Sequence, residues 1–128
     1  MSEYYRAAVC TELTGPQSME IQEYPVLPLE SGQVRIAVKA AGLNFPDLLM
    51  TYGKYQFRPD PPFVPGLDAS GEILEVAPDV SRWQVGDRVM AGSKGGTLAE
   101  QVVVPSEACS TLPSALSYKE GATFYPSL

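Results

Sequence analysis

Alternation of apolar and polar residues with a period of two is the feature that most limits what this chain can fold into. It is clearest in VRIAVKA, residues 34–40, where every second side chain is apolar. Shorter apolar runs of the same kind occur at residues 19–24, 73–76, 88–91 and 98–104. Since successive side chains of a strand point to opposite faces, residues 34–40 should form a strand with one buried face, and Arg35 and Lys39 should point outward.

Glycine and proline separate these runs at short intervals, as in Gly15-Pro16, Gly86-Asp87 and Gly95-Gly96. Many short strands divided by turn residues are typical of a small β-barrel or sandwich. The sequence therefore predicts a mainly β domain.

A short helix should interrupt the strands after residue 43. Asn44 is a good N-cap, and Pro46 suits the first turn because its missing N–H would have no partner there. Asp47 is favoured at the same end by the helix dipole. Gly53 should end the helix, which is then predicted from Phe45 to about Tyr52.

A second helix is predicted near the end of the sequence. Ser117-Tyr-Lys-Glu120 has the capping-box pattern, and the helix should end at Pro126. Two interpretations remain open: this helix docks on the β domain, or it leads into a further domain.

Composition and charge exclude several classes of protein. The net charge is -6 and the nine basic residues are scattered, which argues against nucleic-acid binding. No apolar run approaches the ~20 residues of a membrane span, and MSEYYR lacks a signal-peptide core. The two cysteines are distant and form no CxxC, so a reducing cytoplasm is expected. There is no histidine, which excludes histidine-based triads and metal sites.

Motifs of known chemistry are weak. GSKGGT at residues 92–97 lacks the spacing of a dinucleotide or phosphate loop and is predicted to connect two strands. Four carboxylates near turns are expected to be solvated or capping rather than an acid–base pair: Asp60, Asp68, Glu72 and Asp87.

The stretch from residue 40 to 71 is the unusual part of the chain. It is rich in proline, aromatic residues and carboxylates, so it forms either a lid over the core or one wall of a ligand site. Tyr52 and Tyr55 flank Gly53; their hydroxyls either point into a cleft or lie at the surface while the rings pack.

Five segments in a fixed order carry a resemblance: VRIAVKAAGLNFPDLLMTYGKY, PFVPGLDASGEILEVAPDV, VGDRVMA, GGTLAEQVVVP and LPSALSYKEGATF. Together they resemble the N-terminal, GroES-like domain of the alcohol dehydrogenase-like medium-chain dehydrogenase/reductase superfamily, in its zinc-independent quinone oxidoreductase branch. The resemblance covers essentially residues 1–128. It implies a GroES-like β-barrel with short helices, truncated before a Rossmann-type domain.

The resemblance also implies that no metal binds. Zinc alcohol dehydrogenases have a cysteine ligand where this chain has Asn44, and a His-Glu pair where it has Leu67-Asp68. They also insert a four-cysteine lobe after the position of Val89. Zinc needs three or four N, S or O ligands, and these replacements remove them.

Site residues follow from the same resemblance. It implies that Asn44 and Tyr55 are catalytic, in a cleft facing the nicotinamide ring of NADPH, and that Asn44, Asp47 and Tyr55 bind this cofactor. Because Asp68 is shorter than the family's more frequent Glu, we expect it to be structural. Since Asp and Ser cap helices as well as Asn, replacing Asn44 by either should change stability by less than ~1 kcal/mol.

The implied function of the full-length parent is NADPH-dependent, zinc-free reduction of quinones or other α,β-unsaturated carbonyls. Two alternatives remain: an enoyl reductase module of a multidomain synthase, or a non-catalytic GroES-like binding or assembly module. The length of the reading frame distinguishes them. The chain alone should be inactive and should not bind NADPH, because it lacks a glycine-rich phosphate-binding turn. Exposed apolar surface near Asn44 and Ser117 should favour a homodimer.

Overall fold

The structure is a computed structural model that describes residues 3–55 and 59–124, with Phe124 described by its backbone. Seven strands and two short helices lie in these residues. The elements in chain order are β1 (Tyr4–Cys10), β2 (Met19–Pro25), β3 (Gln33–Gly42), α1 (Phe45–Thr51), β4 (Asp68–Val76), β5 (Arg88–Gly92), β6 (Gln101–Pro105), β7 (Cys109–Thr111) and α2 (Tyr118–Phe124). Single 3₁₀ turns precede β2 and β7.

The strands form two antiparallel sheets. A hairpin of β1 and β2 makes the first, and the second has the order β6-β3-β4-β5-β7. Bridges from Ala7 to Ala99 and from Cys10 to Phe63 tie the hairpin to loops of the larger sheet. The result is the mainly β, GroES-like architecture with short helices that the sequence predicted.

The core lies along the inner face of the larger sheet. Val34 and Ile36 of β3 are fully buried there, as the alternation predicted. The indole of Trp83 closes one end of this core and donates from Nε1 to the Ser106 carbonyl at 2.9 Å. The remaining members of the cluster are Ile73, Val89, Ala91, Val102, Val104 and Cys109.

Arg35 departs from the predicted alternation, because its side chain is only 3% exposed. Its Nε donates to Glu75 Oε1 at 3.0 Å, and its Nη2 donates to the carbonyl of Leu27 in the loop after β2. The loop covers this face of β3, and Glu75 on the neighbouring strand balances the charge. The alternation of residues within β3 cannot show that a loop from elsewhere in the chain will fold back over the outer face of this strand.

The helix α1 begins after Asn44, as predicted, and ends at Thr51. Asn44 is extended, with φ of -123° and ψ of 167°, which is the usual N-cap conformation. Gly53 follows the helix with φ of +69°, a value that glycine adopts without the steric cost borne by other residues.

The helix α2 packs against β3 and β4, and this contact is compatible with both interpretations of the second helix. Ser117 and Glu120 form the predicted capping box, with bonds of 2.9 and 3.1 Å. Gly42 permits the close approach, because a Cβ there would lie 2.9 Å from the Ala122 carbonyl oxygen. The predicted end at Pro126 lies outside the described residues.

Arg88 of β5 fastens the segment that leads into α2. Its Nη2 donates to the Leu116 carbonyl at 2.7 Å, and its guanidinium lies 4.7 Å from the centroid of the Tyr118 ring. Arg88 therefore ties the start of α2 to β5.

Both cysteines are buried and free. Burial raises the pKa of Cys109 to about 11, so its thiol is protonated and unreactive at neutral pH. Within the described residues, no helix combines the length and apolar character needed to cross a bilayer.

Candidate functional site

The candidate site lies where β3 gives way to α1. Asn44 occupies this junction, and its backbone N–H donates to Asp47 Oδ2 at 2.8 Å. The carbonyl oxygen of Asn44 accepts from the Asp47 N–H at 3.0 Å. This local pairing, which helix capping requires, places the two side chains on the same side of the turn.

A second carboxylate reaches Asn44 from a distant part of the chain. Asn44 Nδ2 donates to Asp68 Oδ2 at 2.7 Å, within the range of charge-assisted hydrogen bonds. Asp68 is the first residue of β4, where it pairs with Gly42 of β3 and Gly92 of β5. The arrangement therefore joins β4 to the start of α1 through side chains.

Both carboxylates are buried, with Asp47 and Asp68 each 3% exposed. Burial raises the pKa of Asp47, and the backbone amide of Asn44, followed by that of Gly66, opposes this rise. Burial also raises the pKa of Asp68; its hydrogen bond from Asn44 opposes the rise, and the neighbouring charge of Asp47 adds to it. Asn44 therefore bonds two buried carboxylates, Asp47 through its backbone N–H and Asp68 through its side-chain amide, and burial disfavours the ionised form of both.

An apolar cleft of about 480 Å³ opens beside this cluster. Asn44 and Asp47 supply its polar wall, and Leu43 and Phe45 stand at its edge with 72% and 69% of their surface exposed. The other residues that line it are Pro16, Met19, Leu48, Thr51, Pro65 and Leu98. A cleft with one amide in an apolar wall suits an apolar ligand that carries a hydrogen-bonding oxygen.

The structure brings two of the three predicted site residues together. Asn44 and Asp47 share the cleft, whereas Tyr55 is half-buried beside the undescribed residues 56–58 and does not line it. Tyr52, on the other side of Gly53, packs its ring against the backbone of Gly15 instead. The role of Tyr55 stays a prediction.

The other carboxylates behave in different ways. Asp87 accepts from the Gln84 N–H at 2.9 Å and closes a turn, as expected. Asp60 is exposed and Glu72 half-buried, and neither lines the cleft. Of residues 3–55 and 59–124, no three cysteine, aspartate or glutamate side chains come close enough to hold a metal ion.

Asp68 is the residue whose contact with Asn44 the sequence reasoning missed. A signal for it existed: zinc relatives have ligands of one metal at the positions of Asn44 and Leu67-Asp68. Ligands of one ion must lie within a few ångströms of each other, so the two positions should remain neighbours once the metal is lost.

Comparison with known proteins gives a consistent picture. Residues 30–114 match the family described as "Alcohol dehydrogenase GroES-like domain". Quinone oxidoreductase-like protein 2 homolog from Nematostella vectensis is 43% identical over 119 residues, which is 92% of this chain and 32% of that relative. Synaptic vesicle membrane protein VAT-1 homolog from Danio rerio is 39% identical over 92% of this chain and 25% of its own length.

Among solved structures, the quinone oxidoreductase from Thermus thermophilus superposes with a TM-score of 0.80 at 38% identity. The match covers 95% of this chain and 37% of that protein, whose structure was also determined in complex with NADPH. The chain thus spans about a third or less of the curated relatives given above.

Proposed function

Because the chain belongs to the alcohol dehydrogenase GroES-like domain family, in its quinone oxidoreductase-like branch, we propose that it is the substrate-side domain of an NADPH-dependent, zinc-free reductase of quinones or other α,β-unsaturated carbonyls. The proposed enzyme is the full-length parent, in which a Rossmann-type domain would supply the phosphate-binding turn. The 128-residue chain alone is proposed to be inactive.

The orientation of the Asn44 amide carries this proposal. An asparagine side chain has two N–H donors, and Asp68 takes one of them. The second is left for a ligand in the cleft that Asn44 lines. Reduction of a quinone or enone places negative charge on the carbonyl oxygen, and an uncharged N–H fixed in place stabilises that charge without reorganisation.

Asp47 fits the cofactor, which supplies the hydride when bound. Its Oδ1 is buried and makes no hydrogen bond to another side chain within the described residues, and the Asp47 side chain lines the cleft. Such an acceptor suits an N–H donor like the carboxamide of a nicotinamide ring. Asn44 and Asp47 would therefore hold this end of NADPH, with Tyr55 proposed to complete the site.

The apolar walls have a separate role. Leu48, Pro65 and Leu98 line the cleft with apolar surface and disfavour water in it, which strengthens the hydrogen bond that Asn44 offers. They also favour flat, weakly polar substrates over sugars or charged metabolites. Since both thiols are free and buried, we propose that the protein works in the reducing cytoplasm.

Steady-state quinone reduction by the full-length protein tests the proposal. Asn44→Ser removes the amide and should lower kcat by about one to two orders of magnitude, the lower part of the range spanned by loss of one positioned donor. Tyr55→Phe should give a smaller loss, because it removes one hydroxyl and keeps the ring.

Tyr52→Phe is the matched control, because Tyr52 does not line the cleft; it should keep wild-type turnover. Thermal melts of each variant separate loss of chemistry from loss of fold. If Asn44→Ser retained full turnover, Asn44 would be a helix cap without a catalytic role.

A further inference from the structure

We propose that Asp68 is the positioning residue of this site: its carboxylate fixes the orientation of the Asn44 side chain so that the second amide N–H faces the cleft. The effect of Asp68 on catalysis rests on the proposed function. The claim that Asp68 sets the orientation of the Asn44 side chain does not depend on the proposed function.

The backbone around Asp68 is rigid, whereas that around Asn44 is not part of any sheet. Asp68 is held from both sides, because its Cα pairs with Gly42 on one strand and Gly92 on the other. Asn44 lies between β3 and α1 and has no ladder partner. The capping box with Asp47 holds the Asn44 side chain at the start of α1, and the bond to Asp68 fixes its Nδ2 from outside the helix.

Chemistry makes this anchor directional. An ionised carboxylate only accepts hydrogen bonds, so the amide edge that faces Asp68 must be NH₂ and not C=O. The Asn44 oxygen is thereby turned away, and the orientation of the remaining N–H follows from the planarity of the amide. An apolar neighbour at position 68 would leave Nδ2 without the acceptor that it has in the structure, and only the capping box with Asp47 would then orient the amide.

The hydrogen-bond pattern separates Asp68 from aspartates that serve the fold. Asp47, Asp79 and Asp87 each accept a backbone N–H and thereby shape a turn. Within the described residues, the hydrogen bond of Asp68 goes to a side chain, and no Lys or Arg pairs with it. A buried carboxylate without a cation lowers stability, which is the kind of local conflict expected at a functional site.

Nuclear magnetic resonance of the 128-residue chain tests the positioning directly, because Asn44 is its sole asparagine. Selective ¹⁵N-asparagine labelling gives one side-chain NH₂ pair. In the wild type, one proton of the pair should be shifted downfield by the carboxylate. Asp68→Ala should collapse the pair to free-amide positions.

Asp79→Ala is the control for this arm, because Asp79 holds the loop at Ser31 and Gly32 and the variant adds no second asparagine. It should leave the Asn44 pair unchanged. A pair already at free-amide positions in the wild type, or one unaffected by Asp68→Ala in a folded chain, would overturn the positioning role.

Kinetics of the full-length protein test the consequence. Asp68→Ala should lower kcat for quinone reduction about 10- to 100-fold while KM stays within about threefold, since only the transition state uses the fixed N–H. Asp68→Asn should recover most of the loss, and Asp79→Asn should show none. Equal kcat in Asp68→Ala and wild type would refute the link to catalysis.

The two arms fail separately. A full-length protein that reduces no quinone, combined with the expected resonance shifts, contradicts the proposed function and leaves the positioning intact. Absent resonance shifts contradict the positioning whatever the activity.

Discussion

Replacing Asn44 by aspartate sets a third carboxylate against Asp47 and Asp68. The distance of 2.7 Å between Asn44 Nδ2 and Asp68 Oδ2 would then separate two carboxylate oxygens. Two carboxylates this close cannot both be ionised, so the variant must bind a proton or turn its side chain out. Helix-capping preferences alone predict that Asn44→Asp changes the free energy of unfolding by less than ~1 kcal/mol. The contact with Asp68 makes the expected loss of stability larger.

The size of the effect follows from two contributions. Losing a hydrogen bond to a buried charged acceptor costs about 1.5–3 kcal/mol. At pH 7 the repulsion adds about 1.4 kcal/mol for each unit by which folding raises the pKa of the pair above its value in the unfolded chain. We expect Asn44→Asp to be less stable than the wild type by about 2–4 kcal/mol at pH 7.

The loss should depend on pH with a definite sign. In the folded variant the pKa of the pair is raised, so the folded state binds more protons than the unfolded state and gains stability as the pH falls. Urea unfolding of the chain at pH 7 and pH 5, followed by fluorescence of the single, buried Trp83, measures this. The difference between variant and wild type should shrink at pH 5.

Asn44→Ser is the control, since it removes the amide without adding an ionisable group, and its difference from the wild type should change less between the two pH values. The reasoning is refuted if Asn44→Asp matches the wild type within about 0.5 kcal/mol at pH 7. It is equally refuted by a loss that is the same at both pH values.

Three further outcomes are expected of the chain itself. Purified without chelator, it should hold no stoichiometric zinc by elemental analysis, because the sequence has no histidine; one tightly held zinc per chain would contradict this. Calorimetry should detect no NADPH binding by the 128-residue chain at micromolar concentration, since this chain has no phosphate-binding turn. A dissociation constant of ~1 μM, a binding free energy of about -8 kcal/mol, would mean that NADPH binds at a different place from the one proposed. Sedimentation should show self-association at high concentration, because Leu43, Phe45 and Leu48 are exposed together at the cleft; a strict monomer would count against it.

Much of the fold could be predicted because its signals are local. The alternation in residues 34–40, the cap at Asn44 and the capping box at Ser117 each depend on neighbours in sequence, and each is found in the structure. The short strand β7 gave no such signal, since three residues are too few to show a period.

What could not be predicted depends on parts of the chain that meet only after folding. Arg35 is buried because a loop covers it, and Asp68 touches Asn44 because β3 and β4 pair in one register. Motif order placed Asn44 and Asp47 in one cleft. It could not show that Asp68, 24 positions away from Asn44, completes the cluster.

That register has a consequence for anyone who wishes to transplant the site. The pairing of β3 with β4 shifts between Val38 and Ala40, and this shift brings Gly42 opposite Asp68. A graft of residues 40–53 into another barrel would carry Asn44 and Asp47 but leave the anchoring carboxylate behind. The smallest portable unit is thus a pair of strands with its irregularity, in which Lys39 is the extra residue that lets Gly42 stand opposite Asp68.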